Sequence, residues 1–261
     1  MQTIIGTLAV LGGLGLGFGL LLAFAAAKLR TNEDPRLETV RDLLPGANCG
    51  GCGCAGCGAF AEDLFTGKAN VAACPVGGSE LTNKLAEIIG TEAPVLIKKT
   101  AFIKCIGNAE KSRFHYIYRG VDGCLASSKL SAGGQKACTF GCLGGGDCVR
   151  ACVFDAIHIV DGIAVVDPNN CTNCGVCITK CPRKLIEPVD ATKTVRIGCN
   201  AQDGNKFVRE SCTIGCIGCK LCVRKCTFDA IEITGQLAKI NYEKCTNCGV
   251  CIIKCPRKVI M

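Results

Sequence analysis

Large aromatic residues and histidines are scarce in this sequence. It has no tryptophan, aromatic residues make up 5% of its 261 positions, and His115 and His158 are its only imidazoles. A chain this poor in large rings does not build one extended apolar core, so its folded regions are expected to depend on cross-links or bound metal. With two histidines, any metal must be held almost entirely by sulfur.

Motifs for nucleotide or hydrolytic chemistry are also missing. The sequence has no nucleotide-phosphate loop, no flavin motif and no hydrolytic triad, and neither histidine lies in a pattern that supports catalysis. We therefore expect no catalytic residue on this chain. Any substrate chemistry is expected to take place on a partner.

Cysteine and glycine are abundant instead, at 25 and 33 positions. Ordinary soluble domains do not approach that share of cysteine. The formal net charge of +8 would usually favour nucleic acid or an anionic membrane as a partner. Metal-bound cysteines are thiolates, however, so bound clusters would cancel the positive excess. The sequence therefore predicts no nucleic-acid partner.

The N-terminal region contains an uncharged stretch of 24 residues from Ile4 to Ala27, long enough to cross a bilayer core of about 30 Å as a helix. A cleaved secretory signal is the alternative, because alanines 25–27 resemble a cleavage site. The lack of Lys and Arg in residues 1–3 and the length of the stretch favour an anchor. Because Lys28 and Arg30 follow it, the positive-inside tendency predicts a single-pass protein of the cell (inner) membrane with its other domains in the cytoplasm.

The first group of cysteines lies between two predicted helices. Asp34 and Pro35 mark the start of a short helix that runs to about Leu44, and Ser79 is expected to cap a helix that ends at Gly90. Between the helices, glycines allow the backbone to wrap tightly and to direct amides at sulfur. The four spaced cysteines of this segment, in the order C-x2-C-x4-C-x16-C, are Cys49, Cys52, Cys57 and Cys74.

An internal repeat dominates the rest of the chain. Residues 138–187 align with residues 212–261 at a constant offset of 74, with 29 of 50 positions identical and no gap. Each copy consists of a cysteine run, a hairpin and a second cysteine run. The hairpin turns are predicted at Asp161-Gly162 in the first copy and at Gly235-Gln236 in the second.

A short apolar segment that ends in cysteine precedes each copy, and it is interpreted as a strand. The segments are AFIKC (101–105) and VRIGC (195–199), and the first copy has 20 more residues before its next aligned cysteine. His158 aligns with Glu232, so it is interpreted as a surface residue of the hairpin. His115 is expected at an exposed strand position.

The second copy contains two runs with the spacing C-x2-C-x2-C-x3-C, which is typical of bacterial ferredoxins that hold two [4Fe-4S] clusters. Three cysteines on one tight turn can each reach a different iron, and the following helix carries the fourth to the other cluster. The predicted ligands are Cys216, Cys219, Cys222 and Cys255 for one cluster, and Cys226, Cys245, Cys248 and Cys251 for the other.

Zinc and disulfides are the alternatives for these cysteines. Structural zinc sites usually pair two C-x2-C knuckles across a longer loop, rather than three evenly spaced cysteines in one turn. Disulfides are disfavoured in a cytoplasmic chain. The sequence therefore favours iron held by cysteine, in [4Fe-4S] clusters.

The first copy departs from the pattern at one position, because Gly145 stands where the second copy has Cys219. The incomplete site either holds a three-iron cluster or takes a substitute ligand. Cys124, the cysteine unique to the 20-residue insertion, is one candidate, and Cys138 is its rival. The complete site is predicted from Cys152, Cys171, Cys174 and Cys177, and the incomplete one retains Cys142, Cys148 and Cys181.

If Cys124 completes that site, two cysteines from each copy remain. These are Cys105, Cys138, Cys199 and Cys212, which could form a sixth cluster where the copies meet. Another partition groups Cys105, Cys124, Cys138 and Cys142. Cys54 is left over and is interpreted as a small buried thiol. The other 24 cysteines divide into six groups of four, so five to six clusters are expected.

These patterns predict a fold class in which a single N-terminal transmembrane helix is followed by small α+β iron–sulfur modules. The expected domains are an anchor at 1–30, a four-cysteine [4Fe-4S] domain at 31–94, a ferredoxin-like module with an insertion at 95–190, and a second ferredoxin-like module at 191–261.

The order of these parts resembles the B subunit of the Rnf complex, the membrane-bound ion-translocating ferredoxin:NAD oxidoreductase, in its longer form. The most specific segments are LPGANCGGCGCAGCGAFAEDL (44–64) and KACTFGCLGGGDCVRACVFDAI (136–157). The chain departs from the family at Cys54, where an aromatic residue is more common, and at Val153 and Thr227, where proline commonly follows the cysteine. These departures leave the ligand pattern intact.

This resemblance implies that the chain takes electrons from reduced ferredoxin and passes them along its clusters into a complex that reduces NAD and moves sodium ions or protons. Other membrane and peripheral subunits of that complex are the implied partners. The residues alone indicate an anchored electron carrier with several clusters. The alternatives are a membrane-tethered zinc scaffold for protein interaction and an electron-transfer subunit of a different membrane oxidoreductase.

Basic residues around Cys105 form a candidate docking surface for ferredoxin. Ferredoxins are generally acidic, and a positive patch steers an acidic donor and raises its encounter rate. A solvated face without function is the alternative. The residues are Lys98, Lys99, Lys104, Lys111, Arg113 and Arg119, with Arg183, Lys184, Arg257 and Lys258 as the next candidates.

Overall fold

The computed structural model describes residues 2–28 and 34–261, and within the first helix it describes the side chains of residue 6 and residues 11–28. The chain divides into two compact units, Met1–Thr39 and Val40–Met261. Helix α1 (Gln2–Lys28) contains the predicted span. Its exposed stretch Leu11–Lys28 is long and apolar enough to cross a membrane. Arg30, used above to orient the span, lies outside the described residues.

Three helices follow. Helix α2 (Pro35–Leu43) begins after Asp34, whose carboxylate accepts the Arg36 backbone N–H at 2.9 Å. Helix α3 is Cys57–Phe65 and helix α4 is Gly78–Ile89.

The predicted cap of α4 at Ser79 is wrong. Gly77 occupies the N-cap, because its missing Cβ leaves room for the Leu81 side chain. The predicted end holds, since Gly90 closes the helix in a left-handed conformation. Leu81 and Leu85 of this helix are buried.

The first ferredoxin-like module contains four strands and three short helices. Strand β1 (Lys99–Ile103) pairs antiparallel with β4 (Ile186–Asp190), from Lys99↔Asp190 to Ile103↔Ile186. Strands β2 (Ile157–Val160) and β3 (Ile163–Val166) form the predicted hairpin across Asp161 and Gly162, both with positive φ. The helices are α5 (Cys124–Ser128), α6 (Asp147–Arg150) and α7 (Val176–Lys180).

The second module shares the hairpin and the last two helices of the first module. Strands β5 (Ile231–Thr234) and β6 (Leu237–Ile240) form the predicted hairpin, turned by Gly235 with positive φ. The helices are α8 (Asn205–Ser211), α9 (Leu221–Lys225) and α10 (Val250–Lys254). The expected strand at 195–199 is reduced to the single bridge Ile197↔Ile260. This segment pairs antiparallel with residues 259–261, and the pairing covers too few residues to form a strand.

Each module has its own small core, built around cysteines. In the first, Cys142, Cys148 and Cys177 are buried together with aliphatic residues such as Ile157 and Leu185. The equivalent core of the second module includes Cys216, Cys222 and Cys251. The packed interior therefore surrounds the predicted ligands, and no aromatic residue belongs to either buried cluster.

Candidate iron–sulfur sites

The N-terminal site is formed by the four spaced cysteines of the first group. Cys57 begins helix α3, and its backbone N–H donates to the Asn48 side-chain oxygen at 2.8 Å. This bond closes the loop on which the first cysteines lie. The cavity at this site is lined by Cys49, Cys52, Cys57 and Cys74.

Cys54 does not line that cavity. Its Sγ lies 3.4 Å from the Asp63 carboxylate. Burial, with this hydrogen bond and the neighbouring Cys52, raises the pKa of the Cys54 thiol to about 11. The side chain is a half-buried thiol beside the site, rather than the fully buried one that the sequence predicted.

The Cys216 site lies in the second module. Its cavity takes three side chains from the first cysteine run and one from the end of the second, as the ferredoxin pattern predicts. Helix α10 carries the fourth cysteine across, because that residue follows its last turn. The lining cysteines are Cys216, Cys219, Cys222 and Cys255.

The Cys248 site, the second group of this module, consists of Cys226, Cys245, Cys248 and Cys251. Burial raises the pKa of the Cys251 thiol, and the sulfurs of the other three add to the rise. These four thiols are therefore close enough to act on one another electrostatically, with Cys226 supplied by the end of α9. The Cys174 site of the first module has the equivalent composition, Cys152, Cys171, Cys174 and Cys177, where burial and the three other sulfurs raise the pKa of Cys177 to about 11.

The Cys124 site lies in the first module, at the incomplete cysteine pattern. Cys124 lies in one cavity with the three remaining cysteines of the incomplete pattern, and Cys138 does not. A Cβ on Gly145 would come within 2.6 Å of the Cys124 backbone nitrogen. The turn that carries Cys124 therefore occupies the space that a cysteine at position 145 would need. The lining cysteines are Cys124, Cys142, Cys148 and Cys181.

The inter-module site lies where the two copies meet. Its cavity is lined by Cys105, Cys138, Cys199 and Cys212, two from each module. Gly107 also lines this cavity, and a Cβ there would lie 3.1 Å from the Cys212 sulfur. The structure thus groups the cysteines according to the first of the two partitions that the sequence allowed.

Backbone amides donate to the cysteine sulfurs at several of these sites. The Ala101 N–H lies 3.3 Å from Cys171 Sγ, the Ala164 N–H 3.4 Å from Cys142 Sγ, and the Ala230 N–H 3.4 Å from Cys226 Sγ. Such bonds favour thiolate over thiol. Strands β1 and β3 and the loop before β5 therefore supply donors to the sulfurs as well as packing.

The donor set fits cubane clusters. Burial raises the pKa of Cys148 and of Cys199 to about 12, so these thiols stay protonated at neutral pH unless a metal displaces the proton. Within the described part of the chain, no three Cys, His, Asp or Glu side chains are arranged for a single ion. Four sulfurs line each cavity instead, as ligands of four separate irons would.

The six sites form a series. The N-terminal site abuts the Cys174 site, because a Cβ on Gly51 would come within 2.7 Å of the Cys174 carbonyl oxygen. The two sites within each module are adjacent because their cysteine runs are exchanged between them. At the centre, the Cys142 N–H donates to Cys105 Sγ and the Cys216 N–H donates to Cys199 Sγ, both at 3.3 Å.

The series therefore runs from the N-terminal site through the Cys174 site, the Cys124 site, the inter-module site and the Cys216 site to the Cys248 site. The last is the most open: Cys248 is the exposed member among the 25 cysteines. Both hydrogen bonds at the centre join equivalent positions of the repeat, so the series is nearly symmetric about the inter-module site.

Several basic residues proposed for docking are engaged within the chain. The Arg257 guanidinium donates to the Cys212 carbonyl at 2.6 Å, and the Arg183 guanidinium contacts the Gly133 carbonyl. Lys104 pairs with Glu187 at 2.9 Å. Of these three side chains, Lys104 is the one paired with an opposite charge, and the two arginines are held against backbone carbonyls.

Lys136 is a functional candidate that the sequence reasoning missed. Its side chain is 1% exposed, and its Nζ donates to the Gly107 carbonyl at 2.7 Å and lies 6.0 Å from the centre of the Phe114 ring. Burial raises the pKa of the Cys142 thiol, and the Lys136 ammonium opposes that rise. The available signal was the offset of the repeat, which, when extended two residues upstream of the aligned copies, pairs Lys136 with Glu210, of opposite charge.

Comparison with known families supports the iron–sulfur interpretation. The family model "Putative Fe-S cluster" matches residues 44–76, the "4Fe-4S binding domain" matches 164–187, and the "4Fe-4S dicluster domain" matches 215–259. They confirm iron–sulfur clusters as the cofactor. They also confirm the predicted fold class, in which an apolar N-terminal helix precedes small α+β modules.

Relatives of known name extend over the whole chain. The B subunit of the Na⁺-translocating ferredoxin:NAD⁺ oxidoreductase complex of Acetobacterium woodii is 43% identical over 100% of this chain and 78% of its own length. The B subunit of the ion-translocating oxidoreductase complex of Methanosarcina acetivorans is 41% identical over 99% of this chain and 98% of its own. The B subunit of the proton-translocating ferredoxin:NAD⁺ oxidoreductase complex of Clostridium ljungdahlii is 35% identical over 100% and 93%.

The resemblance stated from the sequence is therefore confirmed, and the N-terminal helix is consistent with anchoring in a membrane-associated complex. The chain is an electron-transfer subunit of a redox enzyme complex. It belongs to the family of B subunits of ion-translocating oxidoreductase, or Rnf, complexes.

Proposed function

We propose that this chain accepts electrons from reduced ferredoxin and relays them through six [4Fe-4S] clusters to the other subunits of an ion-translocating complex that reduces NAD. The observation that carries the proposal is the series of six groups of four cysteines, four of which line a cavity and two of which are indicated by the mutual electrostatic effects of their thiols. Electron transfer needs neighbouring redox centres, and this order supplies them without a gap.

The proposed ligands are the four cysteines of each site as defined above. Cys124 takes the place of the cysteine that position 145 lacks, and Cys54 ligates no iron. A bound [4Fe-4S] cluster supplies a centre that gains and loses one electron. The chain holds each cluster by four thiolates and lines the cavity with aliphatic side chains. It also directs backbone amides at the sulfurs, which stabilises negative charge there.

The surroundings of the chain form part of the proposal. Helix α1 anchors it as a single span in the cell membrane, with the cluster domains on the cytoplasmic side, where ferredoxin is available. Neither NAD reduction nor ion movement is assigned to residues of this chain. Both belong to partner subunits, so this chain contributes to ion translocation by transferring electrons to them. The proposed domains are the four ranges given above, 1–30, 31–94, 95–190 and 191–261.

Anaerobic purification of the complex tests this function. The visible absorption of the clusters should bleach when reduced ferredoxin is added, as it does with dithionite, and NAD should restore it. A colourless chain that contains zinc would support the scaffold alternative. A coloured chain that dithionite reduces but ferredoxin does not would assign the chain to a different oxidoreductase.

Replacing Cys124 tests the ligand assignment and the number of clusters. The change Cys124→Ala should lower the iron content by about one atom per chain and produce the EPR signal of an oxidised three-iron cluster, because three cysteine ligands remain. The matched control is Cys54→Ala, which should leave iron and sulfide unchanged. Equal iron loss in both variants, or none in either, would contradict the assignment.

A further inference from the structure

The two modules contain one identical loop in two different environments. Residues 171–178 and 245–252 share the sequence CTNCGVCI. In the first module residues 171–176 are half-buried, whereas in the second every other residue from Thr246 to Val250 is exposed, with Val250 39% exposed. The exposed residues of the second loop are Thr246, Cys248 and Val250, and their half-buried equivalents are Thr172, Cys174 and Val176.

The first loop is covered by another iron–sulfur domain of the same chain. Gly51 packs so closely on it that a Cβ at that position would lie 2.7 Å from the Cys174 carbonyl oxygen and 3.1 Å from the Cys174 Cα. Cys49 of the N-terminal site is near enough to act electrostatically on the Cys174 thiol. This contact is an example, within the chain, of how a domain with its own cluster meets this loop.

The uncovered module has a different charge. Residues 212–261 contain eight Lys or Arg and three Asp or Glu. The equivalent residues 138–187 contain four Lys or Arg and five Asp or Glu. Exposed lysines replace neutral residues near the open loop, as with Lys244, whose equivalent is Asn170. Lys244 has an exposed partner, Asp229, at 3.7 Å. Such a surface pair contributes little and leaves the charge available.

We propose that the open loop of the second module is the docking surface for an acidic iron–sulfur protein, the electron donor, which meets Cys248 as the N-terminal domain meets Cys174. This inference rests on the proposed function and adds the point at which electrons are received. One electron leaves the reduced cluster of the donor, which is oxidised, and reduces the Cys248 site. No bond forms or breaks, and no proton is transferred.

The position of this loop in the series favours it over the basic residues around Cys105. Cys105 belongs to the inter-module site, at the middle of the series. A donor that docked there would leave the Cys216 and Cys248 sites as a side branch. Docking at Cys248 uses all six sites in order. The positive charge of the second module also suits an acidic donor. Electron-transfer partners form small, short-lived contacts, and electrostatic steering accelerates their formation.

Charge reversal in the assembled complex tests the proposal. The double variant Lys244→Glu, Lys254→Glu should slow oxidation of reduced ferredoxin about tenfold at low salt and flatten its dependence on ionic strength. Dithionite should still reduce the clusters fully. The matched control is the double variant Lys68→Glu, Lys84→Glu, which reverses two exposed lysines of the four-cysteine domain. It should oxidise ferredoxin at the rate of the unaltered complex.

The remaining outcomes separate this inference from the function on which it rests. The double variant Lys98→Glu, Lys99→Glu is the first comparison. If it slows ferredoxin oxidation while the Lys244, Lys254 variant oxidises ferredoxin at the normal rate, the donor docks near Cys105. That result would overturn the docking surface at Cys248 but not the proposed function. Failure of the unaltered complex to oxidise ferredoxin would overturn the donor and the proposed function together. Carbodiimide cross-linking adds a second readout, because ferredoxin carboxylates should couple to Lys244 or Lys254.

Discussion

Lys136 illustrates how one side chain can influence a redox site without ligating it. It is buried between two candidate sites: its Nζ bonds to Gly107, which lines the inter-module cavity, and its charge acts on Cys142 of the Cys124 site. No carboxylate pairs with it among residues 34–261. A buried, unpaired ammonium favours the more negative, reduced form of a nearby cluster, and salt screens it little.

We therefore expect Lys136→Gln to lower the midpoint potential of one or two clusters by about 59 mV, a tenfold change in a one-electron equilibrium. The glutamine amide can still donate a hydrogen bond, and the Ser112 hydroxyl also donates to the Gly107 carbonyl, at 2.8 Å. Folding should therefore survive. EPR-monitored redox titration measures the shift. Lys136→Arg should restore the potential, and Lys129→Gln, which removes an exposed charge, should not change it.

Residue identity alone could not reveal this role. Hydropathy places every lysine at the surface, and the burial of Lys136 depends on the insertion that brings Phe114 and Gly107 around it. The same insertion supplies Cys124. The sequence named both Cys124 and Cys138 as candidates and could not decide between them, because the choice depends on where the chain returns in space.

Short helices exchange cysteines between the sites of each module. Helices α9 and α10 have five residues each and are followed directly by Cys226 and Cys255. Five residues rise about 7.5 Å along a helix axis, so each helix moves its last cysteine away from the turn that bears the other three. The two helices pack side by side, and this contact brings each cysteine to the neighbouring site.

Replacing Cys226 tests this exchange. The change Cys226→Ser should damage the cluster at Cys245, Cys248 and Cys251, although Cys226 follows the first run in sequence. Cys255→Ser should damage the Cys216 cluster instead. Iron analysis with EPR of the two variants distinguishes the clusters. The ligation would be uncrossed if Cys226→Ser removed the Cys216 cluster and left the other intact.

At the scale of elements, local sequence signals predicted the hairpin turns well. Pairing between segments distant in sequence could not be predicted from them. Asp161-Gly162 and Gly235 marked both hairpins, since these residues tolerate the positive φ of a tight turn. The segment 195–199 has the composition of a strand, yet it makes one bridge, because its partner contributes three residues. The length of a sheet depends on the partner, which local composition does not encode.

The whole cluster-bearing unit should depend on its clusters for folding. Its cores are small and consist largely of the ligands and the aliphatic residues around them. Removing iron with a chelator under anaerobic conditions should abolish cooperative unfolding of residues 40–261, measured by circular dichroism. Because metal binding is part of the folding free energy, reconstitution with iron and sulfide should restore the transition. A chelated protein that kept its cooperative transition would contradict this expectation.

A version that begins at residue 31 serves as a control for the membrane anchor. It should be recovered in the soluble fraction with its colour, because the cavities lie in the unit Val40–Met261.

The inter-module site resembles the contact between the two subunits of a two-fold symmetric dimer, formed here by two repeats of one polypeptide. Each module presents the same pair of positions, Cys105 with Cys138 and Cys199 with Cys212, and both pairs line one cavity. A contact of this isologous kind is closed, since two copies saturate it and leave no free half. A third tandem module would therefore find no place at the joint. A longer series of clusters therefore has to be extended at its ends, by domains of a different kind such as the one that covers Cys174.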